Sequence, residues 1–133
     1  MDLVAIPVKE SQSAVVMARR IMIVDDDEEI RATLAELLAQ EGFEVIEASD
    51  GIDALDRLSK EALPNLILLD LMMPKMDGWG FQSEVQKDAA LASIPIVVMT
   101  AAGQKTSNTI PVKGVLHKPF SLDAVVEMIA RFC

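Results

Sequence analysis

Four short apolar runs in this chain each end on residues able to hold a cation or a phosphoryl group. Residues 21–24 lead into Asp25, Asp26 and Asp27, residues 66–69 into Asp70, residues 94–99 into Thr100, and residues 115–117 into Lys118. Brought together, Asp25, Asp26 and Asp70 repel one another unless a cation lies among them. A hard divalent ion, Mg2+ (or Mn2+), suits that set, because it takes oxygen ligands, keeps several waters and is commonly held by one or two carboxylates beside a phosphate. Lys118 supplies a point positive charge for one phosphoryl oxygen, and Thr100 a hydroxyl for another. Phosphoryl transfer asks mainly for positioning and charge stabilisation, and these groups supply both. Asp70 is the candidate nucleophile: it follows the run 66–69 and precedes Leu71-Met72-Met73-Pro74, at a strand end with a loop open to solvent. A carboxylate there can attack phosphorus and form an acyl phosphate.

Each residue also has a plainer use. The acidic run Asp25 to Asp27 serves equally well as a helix start, with Asp27 or Glu28 favourable to the helix dipole. An isolated Asp after a strand is ordinarily a turn residue, and Lys-Pro a solvated turn. His117, the single histidine, reads as a strand-end packing residue with no cluster of partners around it in sequence. The eight methionines read as fillers of core and loop gaps, and Trp79 as a cover over the loop after Asp70. What outweighs the plainer uses is that all four runs end in the right kind of residue.

The elements that must position these groups follow from the pattern between them. Short β-rich runs at 21–24, 43–48, 66–69, 94–99 and 115–117 alternate with stretches of helical period, which predicts a doubly wound α/β sheet. Near-continuous apolarity fits parallel strands covered on both faces. Ligands in such folds bind outside the carboxyl ends of the strands, where the functional candidates fall. Ile30, Leu34, Leu37 and Leu38 mark one face of a first helix that Gly42 ends. Asp50 caps a second helix that turns Ile52, Leu55 and Leu58 inward, with Pro64 at its exit. A weaker third helix runs over about 79–87, and Ser121 caps a last one that buries Leu122, Val125, Val126, Ile129 and Phe132. The segment 101–114, with Gly103, Asn108, Pro111 and Gly114, predicts a short helix or a loop.

Size and composition bound the rest. A chain of 133 residues, 51% hydrophobic and 25% charged, suits one globular domain. Residues 1–19 read as an extension and 20–133 as the domain. Twelve basic residues against 21 acidic ones give a net charge of -9, which repels nucleic acid and anionic lipid alike. The single cysteine, Cys133, agrees with a reducing, cytoplasmic setting. No apolar run reaches the ~18 residues of a spanning helix.

On these motifs the sequence resembles the receiver domain of two-component response regulators. The matching pieces are Ile23-Val24-Asp25-Asp26-Asp27, Asp50-Gly51-Ile52-Asp53-Ala54-Leu55, Leu69-Asp70-Leu71-Met72-Met73-Pro74-Lys75-Met76-Asp77-Gly78-Trp79, Val98-Met99-Thr100-Ala101 and His117-Lys118-Pro119-Phe120. The resemblance implies five parallel strands in the order 2-1-3-4-5, the flavodoxin-like arrangement for which a receiver is one of the standard examples. It also implies Asp70 as phosphoacceptor, Asp26 as the more direct metal ligand, Asp25 acting through water, and the backbone carbonyl of Met72 as a further ligand. Thr100 corresponds to the switch hydroxyl, Lys118 to the phosphate-binding lysine, and Lys118-Pro119 to a cis peptide. The implied partners are a sensor histidine kinase or phosphotransfer protein and a downstream protein, with no direct contact to nucleic acid or membrane. The implied protein is no enzyme beyond catalysing its own phosphorylation and dephosphorylation.

Two departures from the family pattern bear on output. Val115 stands where the family often has an aromatic residue that follows the switch threonine, and the stretch between Thr100 and Lys118 is short, with Pro111 where a helix normally runs. The fourth helix is therefore expected to be shortened or irregular. The expectation is a stand-alone receiver that signals by protein binding. Two alternatives stand beside it: a degenerate receiver that binds partners without phosphorylation, and a phosphatase of the haloacid-dehalogenase type using Asp25 and Asp27. The latter leaves Asp70 unexplained.

Overall fold

The computed structural model describes residues 19–71, 78–100 and 112–132. Residues 1–18 of the expected extension 1–19, the Met72 carbonyl and the segment 101–111 lie outside the described residues, as do Cys133 and the side chain of Trp79.

Five strands form one sheet: β1 Arg20–Val24, β2 Glu44–Ala48, β3 Leu66–Asp70, β4 Ile96–Thr100 and β5 Gly114–His117. They run parallel in the order β2-β1-β3-β4-β5, as the resemblance implied. β3 and β4 are buried along their whole length, which explains their unbroken apolar sequences.

Side chains alternate across the strands and divide the core into two layers. Met22, Val24, Ile67, Leu69, Ile96 and Val98 face one way and pack with Ala54 and Leu58 of α2 (Gly51–Lys60) and Phe81 and Val85 of α3 (Gly78–Val85). Ile21, Ile23, Leu66, Leu68, Val97 and Met99 face the other way, against Leu34 and Leu38 of α1 (Glu28–Gln40) and Val125 and Ile129 of α5 (Leu122–Phe132). Between α3 and β4 lies a single helical turn, α4 (Ala89–Ala92), capped by Asp88.

The helix starts agree with the sequence signals. The Asp27 carboxylate accepts from the backbone N–H of Glu29 and Ile30, at 3.1 and 3.2 Å, Asp50 accepts from Asp53 N–H at 2.8 Å, and Ser121 Oγ accepts from Ala124 N–H at 3.1 Å. Each satisfies a donor that a helix start leaves unpaired. Past α1 the chain turns at Gly42, whose φ of 97° is a conformation that residues with a Cβ adopt only at a cost.

Several details differ from the sequence expectation. Ile52, expected inward, is 53% exposed, and α2 instead buries Gly51, Ala54 and Leu58. Ile30 is 38% exposed, leaving Leu34, Ala35 and Leu38 as the buried face of α1. Ile94 is buried but precedes β4, because Pro95 has no N–H to give a ladder and its carbonyl instead accepts from Ile67.

Candidate functional site

In an all-parallel sheet every strand delivers its last residue to the same edge. β1 lies between β2 and β3, so the chain leaves β1 and β3 toward opposite sides and opens a crevice between their ends. Asp25 and Asp26 enter that crevice from β1, and Asp70 from β3. One carboxylate oxygen from each of the three lies within 4.8 Å of the others; Asp25 and Asp70 are buried and Asp26 is exposed.

Asp25 is held on every side. Its N–H donates to the Ala48 carbonyl at 3.1 Å. Its Oδ1 accepts from Asp27 N–H at 2.9 Å, and its Oδ2 accepts from Lys118 Nζ at 3.1 Å. Its carbonyl accepts from Arg31 Nη1 at 2.7 Å. Lys118 reaches this point from the far side of the sheet and also stands 3.8 Å from Asp70 Oδ2, so one ammonium lies between two buried carboxylates. Its backbone is placed by an N–H donated to the Thr100 carbonyl at 2.7 Å, and the following peptide bond, Lys118-Pro119, is cis, as the resemblance implied.

Thr100 ends β4 fully buried. Its Oγ1 lies 3.3 Å from Nδ1 of His117, its Cα partner on β5. The expectation of a packed histidine is corrected here: the side chain is exposed and meets a buried hydroxyl. Arg31 was not among the candidates. Besides Asp25 it reaches Glu47 at 3.2 Å, which joins α1 to β2 under the acidic loop. Its one signal in sequence was a cation in the first turns of a helix, where the dipole disfavours it and a tertiary partner is needed.

The structure thus brings Asp25, Asp26, Asp70 and Lys118 into one crevice, with Thr100 at the end of the next strand. Asp27 stands apart as a cap. Three carboxylates and one ammonium carry a net negative charge, and the oxygen-only donor set fits a hard divalent cation.

Comparison with known proteins points to one family and one fold. Residues 21–130 match the family model described as the response regulator receiver domain. The phosphate regulon transcriptional regulatory protein PhoB of Escherichia coli (strain K12) is 36% identical over 122 residues, covering 86% of this chain and 50% of that protein. A probable transcriptional regulator, ycf27, of Cyanophora paradoxa is 38% identical over 120 residues, 85% of this chain and 48% of that one. This chain spans about half the length of these curated relatives. Among solved structures, Vibrio cholerae chemotaxis protein CheY4 superposes with a TM-score of 0.79 at 27% identity, covering 88% of this chain and all of that one. A CheY-like receiver domain protein of Methanospirillum hungatei gives 0.71 at 31% identity, covering 85% and 90%.

Proposed function

This chain belongs to the response-regulator receiver domain family, and we propose that it is a phosphoacceptor switch in which Asp70 takes a phosphoryl group from a phosphohistidine on a sensor kinase or phosphotransfer protein. The observation that carries this reading is the convergence of Asp25, Asp26 and Asp70 within 4.8 Å, with Lys118 beside two of them.

In the transfer an oxygen of Asp70 attacks phosphorus, the P–N bond to the donor imidazole breaks, and the imidazole leaves with that electron pair. Water later attacks the same phosphorus, the aspartate oxygen leaves, and the switch resets. Lys118 exchanges its ion pairs with Asp25 and Asp70 for a phosphoryl oxygen, and Thr100 gives its hydroxyl to a second. Mg2+ held at the acids would neutralise charge on the phosphoryl oxygens. Asp26 is the direct ligand in this reading, because both oxygens of Asp25 already accept hydrogen bonds within the protein; Asp25 acts through water, and the Met72 carbonyl completes the set. The output is a charge-driven change in which protein surfaces bind.

Labelling with a small-molecule phosphodonor tests the assignment. Wild type and Asp25→Asn should both acquire hydroxylamine-sensitive phosphate, the variant more slowly, and Asp70→Asn should acquire none. Labelling that survives Asp70→Asn would overturn the choice of nucleophile.

A further inference from the structure

Thr100 and His117 hold one hydrogen bond at the rim of the sheet, between a fully buried hydroxyl and an exposed imidazole. Their backbones are partners across β4 and β5, so both side chains stand on the same face. Two positions earlier, Val98 and Val115 are also partners and pack in the layer beneath α2 and α3. Thr100 and His117 continue that row to the edge where Asp70 lies.

The hydroxyl has one hydrogen, and a buried donor places it on an acceptor. Among the described residues the partner in reach is His117 Nδ1, at 3.3 Å, which accepts in the tautomer that leaves Nδ1 without a hydrogen. An exposed neutral imidazole accepting at Nδ1 carries its own hydrogen at Nε2. A phosphoryl oxygen on Asp70 claims the same hydroxyl hydrogen, and a charged acceptor outcompetes a neutral one. Thr100 cannot donate to both.

We propose that His117 is a positioning residue for Thr100: at rest its Nδ1 holds the Thr100 hydroxyl, and phosphorylation of Asp70 takes that hydrogen and releases the imidazole at the exposed end of β5. The release converts a buried event into a change at the surface. This rests on the phosphoacceptor reading above, and beryllofluoride with Mg2+ serves as the probe for the phosphoryl group.

His117 is the single histidine of the chain, so its ring nitrogens can be followed in histidine-labelled protein without assignment. At about pH 8, where imidazole is ordinarily neutral, adding Mg2+ and beryllofluoride should move the Nδ1 resonance toward that of an acceptor with no hydrogen bond. Thr100→Val should give the same position before any addition. In parallel, 19F signals of bound beryllofluoride report occupancy. His117→Ala, which removes the resting competitor, should tighten beryllofluoride binding by about threefold to tenfold. Bound 19F signals with an unmoved Nδ1, or binding that is unchanged or weakened by His117→Ala, overturn the proposal and leave the phosphoacceptor reading standing. Absence of bound 19F signals overturns both.

Discussion

Arg31 illustrates how far a single side chain outside the acidic set shapes the crevice. Its guanidinium donates to the carbonyl of Asp25 at 2.7 Å and to Glu47 at 3.2 Å, and so it fixes the loop that aims Asp25 and Asp26. The Glu47 arm contributes little, since that carboxylate is 43% exposed and screened by water. The carbonyl arm is a charge-assisted bond to a residue that is itself buried. Arg31→Met, which keeps much of the apolar stem, should therefore cost about 1.5–3 kcal/mol in urea unfolding. Arg31→Lys should recover little of that loss, because an ammonium cannot reproduce a fork with two partners. Equal stability of Arg31→Met and the parent would show that the loop holds itself. Such a contact is not written in any motif, because it joins a side chain to a backbone carbonyl. Asp70, by contrast, was legible as a candidate, though not alone: an Asp at a strand end is ordinarily a turn residue, and it stood out because three other apolar runs also end on groups suited to a cation or a phosphoryl group.

At the scale of elements, strands were read well and helix faces less so. A strand buried on both sides leaves no choice of face, and β3 and β4 needed only their apolar runs to be recognised. α2 did leave a choice. Ile52 and Ala54 lie about 200° apart around the helix, and it is the smaller residue, fully buried, that meets the sheet. The larger Ile52 is left outside, since an alanine lets helix and sheet approach closely while Leu58 supplies the volume one turn on. Ile52→Ser should accordingly change the unfolding free energy by no more than about 0.5 kcal/mol. Leu58→Ala, at 5% exposure, should lower it by about 2–5 kcal/mol. Reversal of that ranking in denaturant titrations would mean that α2 sits on its expected rather than its observed face. The strand order was not legible from periodicity at all. It came with the resemblance, because the order of strands in a sheet depends on crossovers that local pattern does not encode.

The molecule as a whole carries a net charge of -9 and concentrates three carboxylates at one crevice, with Lys118 the cation set among them. Among the described residues no helix is long and apolar enough to cross a membrane. Repulsion within the crevice opposes folding, so a cation bound only by the folded state should stabilise the domain by mass action, by about 2.7 kcal/mol at a hundredfold excess over its Kd. For a domain of this size that is a rise in Tm of about 10 °C. The charges predict opposite signs for two variants. Asp26→Asn removes one of three like charges and should raise the metal-free Tm, while weakening the response to Mg2+ at least about tenfold in concentration. Lys118→Met leaves two buried carboxylates without their shared cation, and should lower the metal-free Tm while enlarging the rise that Mg2+ produces. Thermal unfolding with and without MgCl2, at matched ionic strength to separate binding from screening, measures all of these together. If Mg2+ raised neither the parent nor Lys118→Met, or if both variants shifted the metal-free Tm the same way, the crevice would be a set of ion pairs that stabilise the fold rather than a site held open for a cation and a phosphoryl group.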